Sequence, residues 1–388
     1  MRARAWSAVA LLLGACAAPR QQVVPKVAAE LPPPIVTTPI APPPIVPPIA
    51  PVPLAIAEPP PLRDDLPLAP LLDAVEQQAA HLEQTSRIEK FDFGARHYSK
   101  IEYVAALRRF VALGRAARSP DEWTAAVARE FDFYEVRLGP DVLVTAYYEP
   151  LVEGAHAPSA RFSQPLYRAP PDLVAGRPYH TRAEIDSGGA LAGRGLELCW
   201  VDPFDAFVLQ TEGSGVVRFP DGARLALDHA ATNNQPHQRL SKFLAGAIPR
   251  ETMTMHTIEA YLRALPERAM RDVLEKNPRY GFFKPRTGRG AATSIGLPAV
   301  DGRTLAADAS VLPKGALAFL VTTQPRFADE DALVPAAWEP LARFVLDQDT
   351  GGGIVGAHVD LYWGEGKDAG RYAGVMKQRG HLYYLAPK

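Results

Sequence analysis

Residues 347–388 read DQDTGGGIVGAHVDLYWGEGKDAGRYAGVMKQRGHLYYLAPK. Asp349 and Asp360 flank a glycine-rich turn, Gly351-Gly352-Gly353, and a short apolar step, Ile354-Val355. Glycine adopts backbone angles that a Cβ resists, so such a turn can bring two strand ends together. His358-Val359-Asp360-Leu361-Tyr362 alternates with period 2 and predicts a strand. On it His358, Asp360 and Tyr362 share one face, and Val359 and Leu361 share the other. An acid among aromatics on one strand face suits protonation of a sugar oxygen. Taken alone, an Asp near a turn more often marks a solvated strand face.

Working outward, further blocks stand in order. Asp308 lies in Ala307-Asp308-Ala309-Ser310-Val311, ahead of Pro313-Lys314-Gly315. Residues 142–150 read as a strand ending in Tyr147-Tyr148-Glu149-Pro150, and with alternation only one tyrosine faces a groove. The face of a pyranose packs on such rings. Gln210-Thr211-Glu212-Gly213-Ser214-Gly215 reads as a hairpin turn whose backbone can approach a ligand. Gln210 and Ser214 can hydrogen-bond hydroxyl or N-acetyl groups. The Gly-x-Ser-x-Gly spacing of a nucleophile elbow is absent. His180-Thr181-Arg182, Asn233-Asn234-Gln235-Pro236-His237 and Asn277-Pro278-Arg279-Tyr280-Gly281 complete the set.

These blocks together resemble the membrane-bound lytic murein transglycosylase A family, with its C-terminal three-aspartate (3D) domain. Asp349-Thr350-Gly351-Gly352, Gly356 and the Asp360-Leu361-Tyr362 run fit the pattern of that domain. Three positions depart from it: Ala146 and Asn234 stand where Gly is usual, and His237 where Tyr is. Asn tolerates left-handed angles, so the turn at Asn234 can survive. The resemblance implies a mainly β fold with N-terminal helices. A double-psi β-barrel carries a smaller inserted β-domain, with a groove between them. It implies Asp360 as the catalytic acid, supported by Asp349 and Asp308. Thr145, Tyr147, Tyr148, Gln210, Gly213 and Ser214 would line the sugar site.

The chain has 388 residues, room for two domains and appendages, and a net charge of −1 that gives no electrostatic case for nucleic acid. Arg2 and Arg4 precede an apolar run ending in Leu13-Gly14-Ala15-Cys16. This resembles a lipoprotein export signal over 1–16, lipidated at Cys16 and sorted to the periplasmic face of the outer membrane. Cys199 is then the only structural thiol, so no intrachain disulfide is expected. Residues 17–69 read as a proline-rich tether without a core of its own.

Helices are expected over 70–88, 98–117 and from Ser119, where Ser119, Pro120 and Glu122 form a start with a capping box. The barrel domain is assigned to 70–161 and 290–388, and the insert to 162–289. Within the insert, 206–210 reads as a strand, as does 296–300 beyond it. The histidines lack metal-ligand spacing, so neither metal nor cofactor is expected. The implied activity is cleavage of the MurNAc–GlcNAc bond of peptidoglycan to a 1,6-anhydro end, with peptidoglycan strands and a wall-remodelling complex as partners. A wall-binding lipoprotein without catalysis and a glycan hydrolase using Asp349 are the alternatives.

Overall fold

The computed structural model describes residues 53–56, 58–137, 141–288 and 290–388. The expected signal, Cys16 and the first part of the tether lie outside them.

The alternating strands close into a six-stranded barrel. Val142–Glu149 runs parallel to His358–Glu365, which pairs antiparallel with Thr304–Ala306. Thr304–Ala306 runs parallel to Ala337–Asp349, whose antiparallel partner is Leu317–Arg326. Lys377–Pro387 pairs with Leu317–Arg326 and returns antiparallel to Val142–Glu149. Two parallel pairs within an otherwise antiparallel ring form the double-psi barrel that the resemblance implies, and closure removes the free edges. Val142, Val144, Phe319, Val345, Val359 and Leu361 belong to its core and have no solvent exposure.

Helices Leu68–Gln84, Lys100–Ala116 and Pro120–Glu130 cover this core, with Leu71, Val75, Leu107, Phe110 and Val127 turned inward. Ser119 caps the third helix as expected, but Glu122 takes the Arg118 N–H instead of closing the box. The reciprocal capping box forms one helix earlier, between Ser99 and Glu102.

The tether gives way to the fold sooner than its composition suggests. Pro53–Ile56 is a strand paired with Phe131–Val136, an outer neighbour of Lys377–Pro387. Asp64 then meets Arg303 at 2.6 Å and the Phe344 N–H at 2.9 Å, while Asp65 meets Arg343 at 2.6 Å. Prolines mask this reading because they break periodicity without preventing edge pairing.

A second six-stranded sheet is ordered Gly281–Pro285, Arg224–Thr232, Ser214–Arg218, Leu151–Ala155, Glu197–Val201, Gln164–Tyr167. Leu151–Ala155 precedes the expected start of the insert at 162. Pro150 has no N–H to continue the barrel ladder, and the chain crosses there to pair in parallel with Ser214–Arg218.

The strand expected at 206–210 is instead part of helix Pro203–Glu212. Asp202 caps it through the N–H groups of Phe204 and Asp205, and Pro203 occupies the first turn. The helix is buried on several sides, which hides its period. Gly213, at φ 82°, ends this helix, so the expected hairpin turn is a helix C-terminus leading into a strand. Residues 296–300 form a loop with one bridge, Ala292 to Pro298, because Pro298 cannot donate to a ladder.

Breaking the Asp64–Arg303 pair should strand a buried guanidinium, since both side chains are under 10 % exposed. Asp64→Ala is expected to destabilise the fold by about 3 kcal/mol in urea unfolding. A fragment starting at Pro67 should likewise unfold more easily than one starting at Pro53. Equal midpoints for the two fragments would show that the 53–66 segment adds nothing.

Candidate active site

Barrel closure sets the register of the site. In the parallel pair, Asp360 stands opposite Thr145 and Tyr362 opposite Tyr147. Side chains two apart share a face, so His358, Asp360, Tyr362, Thr145 and Tyr147 converge, as the alternation predicts. Thr145 Oγ1 lies 2.5 Å from Asp360 Oδ1 and 2.9 Å from His358 Nε2. On the far side of the ring, His358 Nδ1 is 3.3 Å from the Gly353 carbonyl. Among the described residues only Thr145 bonds the Asp360 carboxyl, and it does so through Oδ1.

The other two aspartates are spent on backbone. Asp349 Oδ1 accepts the N–H groups of Ser294 and Thr350, each at 2.9 Å, and Oδ2 accepts the Tyr147 hydroxyl at 2.9 Å. The Tyr147 and Tyr362 rings meet at 5.2 Å. Asp308 Oδ1 accepts from the Ser310 N–H and hydroxyl, and Oδ2 takes the Gly356 N–H at 2.8 Å. Gly356 has φ 67°, so Asp308 holds a left-handed corner just before the Asp360 strand.

These surroundings separate the carboxyls electrically. Burial pushes Asp360 up to about 6, the Thr145 hydrogen bond opposes that rise, and the Asp349 charge adds to it. The Gly356 N–H and Ser310 hold Asp308 below the usual carboxylate range. Burial lowers His358 from its ordinary value.

One acid was invisible in the sequence. Glu212, at the C-terminal end of helix Pro203–Glu212, is pushed up to about 8 by burial first and by the Asp360 charge second. It sits inside the Gln210–Gly215 block, yet reading that block as a hairpin gave no reason to aim it at the barrel.

Tyr148 points away from Asp360, on the opposite face of its strand. Its ring presses on Gly370, where an added Cβ would come within 2.6 Å. It lines a cleft of about 540 Å³ together with Glu212, Asp205, Glu259, His256 and Arg371; Asp360 is not in that wall. Gln210 lines a second pocket of about 150 Å³ with Arg182, His229, His237 and Arg279. Its amide is buried without a partner of hydrogen-bond geometry, although the Tyr280 hydroxyl lies beside it. Ser214 opens a strand opposite Asp228. Asn234 takes φ 56°, the left-handed angle expected of it.

Two buried or half-buried links tie the lobes. Arg286 bonds Glu149 at 2.6 Å and Asp228 at 3.2 Å, and Arg224 bonds Glu365 at 2.6 Å.

Residues 143–284 match the family model of the MltA specific insert domain, and residues 303–386 match that of the 3D domain. Membrane-bound lytic murein transglycosylase A of Vibrio cholerae is 34% identical over 249 residues, covering 63% of this chain and 65% of that protein. The Escherichia coli K12 protein of the same name is 31% identical over 248 residues, 63% of this chain and 66% of its own. The chain thus spans just under two thirds of the length of these relatives. Among solved structures, a lytic transglycosylase of Burkholderia pseudomallei is 31% identical, with 88% of this chain and 98% of that one covered and a TM-score of 0.60. A membrane-bound lytic murein transglycosylase from Agrobacterium tumefaciens is 28% identical, with 82% and 92% covered and a TM-score of 0.64. The E. coli MltA structure with bound chitohexaose shares the fold, at 24% identity, 87% and 94% coverage and a TM-score of 0.68. Barrel, insert, site register and relatives agree: the chain belongs to the membrane-bound lytic murein transglycosylase A family.

Proposed function

We propose that this protein is a peptidoglycan lytic transglycosylase with Asp360 as its single acid and base. The observation that carries the reading is the state of Asp360. It is a largely buried carboxyl, raised to about 6, with Oδ2 left for a substrate. Protonated Asp360 gives its proton to the glycosidic oxygen between N-acetylmuramic acid and N-acetylglucosamine. The muramyl C1 gains oxocarbenium character. The Asp360 carboxylate then removes the proton of the muramyl C6 hydroxyl, which closes onto C1. The product is a 1,6-anhydro end, and the intramolecular nucleophile replaces an activated water.

A hydrolase would need a second carboxylate to activate that water. Asp349 is a poor candidate, because both its oxygens are engaged by Ser294, Thr350 and Tyr147. Glu212, raised to about 8 by burial, favours its protonated form at neutral pH and is a poor general base. The wall-binding alternative gives no reason to keep Asp360 protonated. Thr145 and Tyr147 beside Asp360, with Gln210, Gly213 and Ser214 across the groove and Tyr148 in the adjoining cleft, are the proposed saccharide contacts.

The enzyme is further proposed to be anchored through lipidated Cys16 at the periplasmic face of the outer membrane, where wall-remodelling proteins would join it. The relatives are named membrane-bound, and no helix among the described residues is long and apolar enough to cross a membrane.

Muropeptides released from purified sacculi should be lighter by one water than hydrolytic products in mass spectrometry, and Asp360→Asn should lower their release roughly 10²–10⁴-fold. Reducing-end products would favour the hydrolase, and near-normal turnover by the variant would remove Asp360 from the mechanism. Activity should fall as pH rises above about 6, where Asp360 loses its proton.

The same shift has a stability consequence. An acid whose folded pKa is raised stabilises the fold below its unfolded pKa of 3.8, and that contribution is lost as pH rises through about 6. Asp360→Asn should therefore be more stable than the parent at pH 8, by up to about 3 kcal/mol, and not at pH 3. Urea midpoints at the two pH values test this; a variant weaker at both would contradict it.

A further inference from the structure

The contacts of Thr145 pose a counting problem. Its hydroxyl carries one proton but stands between two groups, Asp360 Oδ1 at 2.5 Å and His358 Nε2 at 2.9 Å. A carbonyl oxygen can only accept, so the 3.3 Å contact between His358 Nδ1 and Gly353 places a proton on Nδ1. The ring is half-buried, and burial disfavours its doubly protonated form. A neutral ring with a proton on Nδ1 has a bare Nε2, which accepts the Thr145 proton. Oγ1 then meets Asp360 with a lone pair only. Two oxygens 2.5 Å apart need a proton between them, and Asp360 must supply it.

We propose that His358 is a positioning residue that keeps the proton on Asp360, acting through the hydroxyl of Thr145. The inference rests on the reading of Asp360 as the acid. In the resting site the chain of donation runs from Asp360 to Thr145 to His358. To pass its proton to the leaving oxygen, the Asp360 carboxyl turns about its Cβ–Cγ bond so that the proton faces the substrate; the Thr145 hydroxyl rotates and donates to the carboxyl oxygen now beside it, and the His358 contact is given up. When the carboxylate recovers a proton from the C6 hydroxyl, the rotor returns. The rotor itself makes and breaks no covalent bond; the glycosidic bond breaks as the proton leaves Asp360, and the C6 oxygen bonds to C1 as a proton returns. Thr145 thus serves both states of one acid, and His358 decides which state it prefers at rest. Without His358 the hydroxyl is free to donate to Asp360 at all times, which favours the carboxylate.

The other groups facing Asp360 are accounted for. Asp349 and Glu212 bear on it electrostatically, and Tyr147 gives its hydroxyl proton to Asp349. On the strand at the other side of Thr145, Lys377 stands in register with Thr145, and Arg379 with Leu143.

The test uses the full chain, labelled with ¹⁵N-histidine. The His358 signals, assigned by their loss in His358→Phe or, where that variant folds poorly, in His358→Gln, should show a protonated Nδ1 and an unprotonated Nε2 in the neutral ring. A neutral ring protonated on Nε2 overturns the proposal. In pH profiles of sacculus solubilisation, His358→Phe should move the alkaline limb down by about one pH unit. A lower rate with an unmoved limb would mark His358 as merely structural and overturn the proposal. In a Thr145→Val background, adding His358→Phe should move the limb no further; a further shift would refute action through Thr145. Retained lysis by Asp360→Asn would sink the acid assignment instead, and the tautomer of His358 would stand apart from it.

Discussion

The site depends on one pairing event: the Val142–Glu149 strand is held on both edges, by His358–Glu365 in parallel and by Lys377–Pro387 in the opposite sense. A strand paired on one side can slip, and a slip of one residue would turn every side chain to the other face. Pairing on both sides excludes that slip. Val142 and Val144 must point into the barrel core, so Thr145 must point out beside Asp360. The Thr145–Asp360 hydrogen bond is therefore a consequence of hydrophobic burial one residue away.

Charge is then distributed by a simple division of labour. A carboxylate that accepts several N–H groups is stabilised in its charged form, whereas one that is buried with a single hydroxyl partner is not. Asp308 takes the first part, and Asp308 and Asp349 fix the two corners that lead into and across the Asp360 strand. Asp360 takes the second. Among the described residues no backbone donor reaches its carboxyl, and the strand's N–H groups are consumed in the ladder on both sides. The triplet of aspartates is thus two side chains that brace the backbone and one that is buried beside them.

The fold was legible wherever a local signal coincided with a tertiary one. The alternation over His358–Tyr362 named the face of Asp360, and Ser119-Pro120 named a helix start. It was illegible where burial erased periodicity. Phe204 through Leu209 is apolar on nearly every side because the helix is wedged between the second sheet and the cluster of Leu244, Ile258 and Leu274. The Asp202-Pro203 cap was the available sign against a strand. Glu212 follows from the same error, since only a helix ending at Gly213 carries its carboxyl toward the barrel. The folding of residues 58–66 escaped for a different reason. Asp64 and Asp65 act on Arg303 and Arg343, partners that nothing local announces. Asp360 itself needed the ordered set of family-like blocks, because an aspartate on a strand says nothing of its solvation.

The lobes must also keep a fixed relation for Glu212 to matter to Asp360. The connection is made where the chain leaves the barrel. Glu149 is the last residue of the doubly paired strand, and its carboxylate receives Arg286, which follows the edge strand Gly281–Pro285 of the second sheet. Arg286 reaches Asp228 in the neighbouring strand as well, so one guanidinium spans the barrel and two strands of the insert. Pro150 turns the backbone at the same point. Both guanidinium and Glu149 carboxylate are nearly inaccessible, so separating the lobes there would expose the partners at the cost of an ion pair already desolvated. The joint therefore resists separation, and it ties the sheet that packs against the Glu212 helix to the strand that carries Thr145.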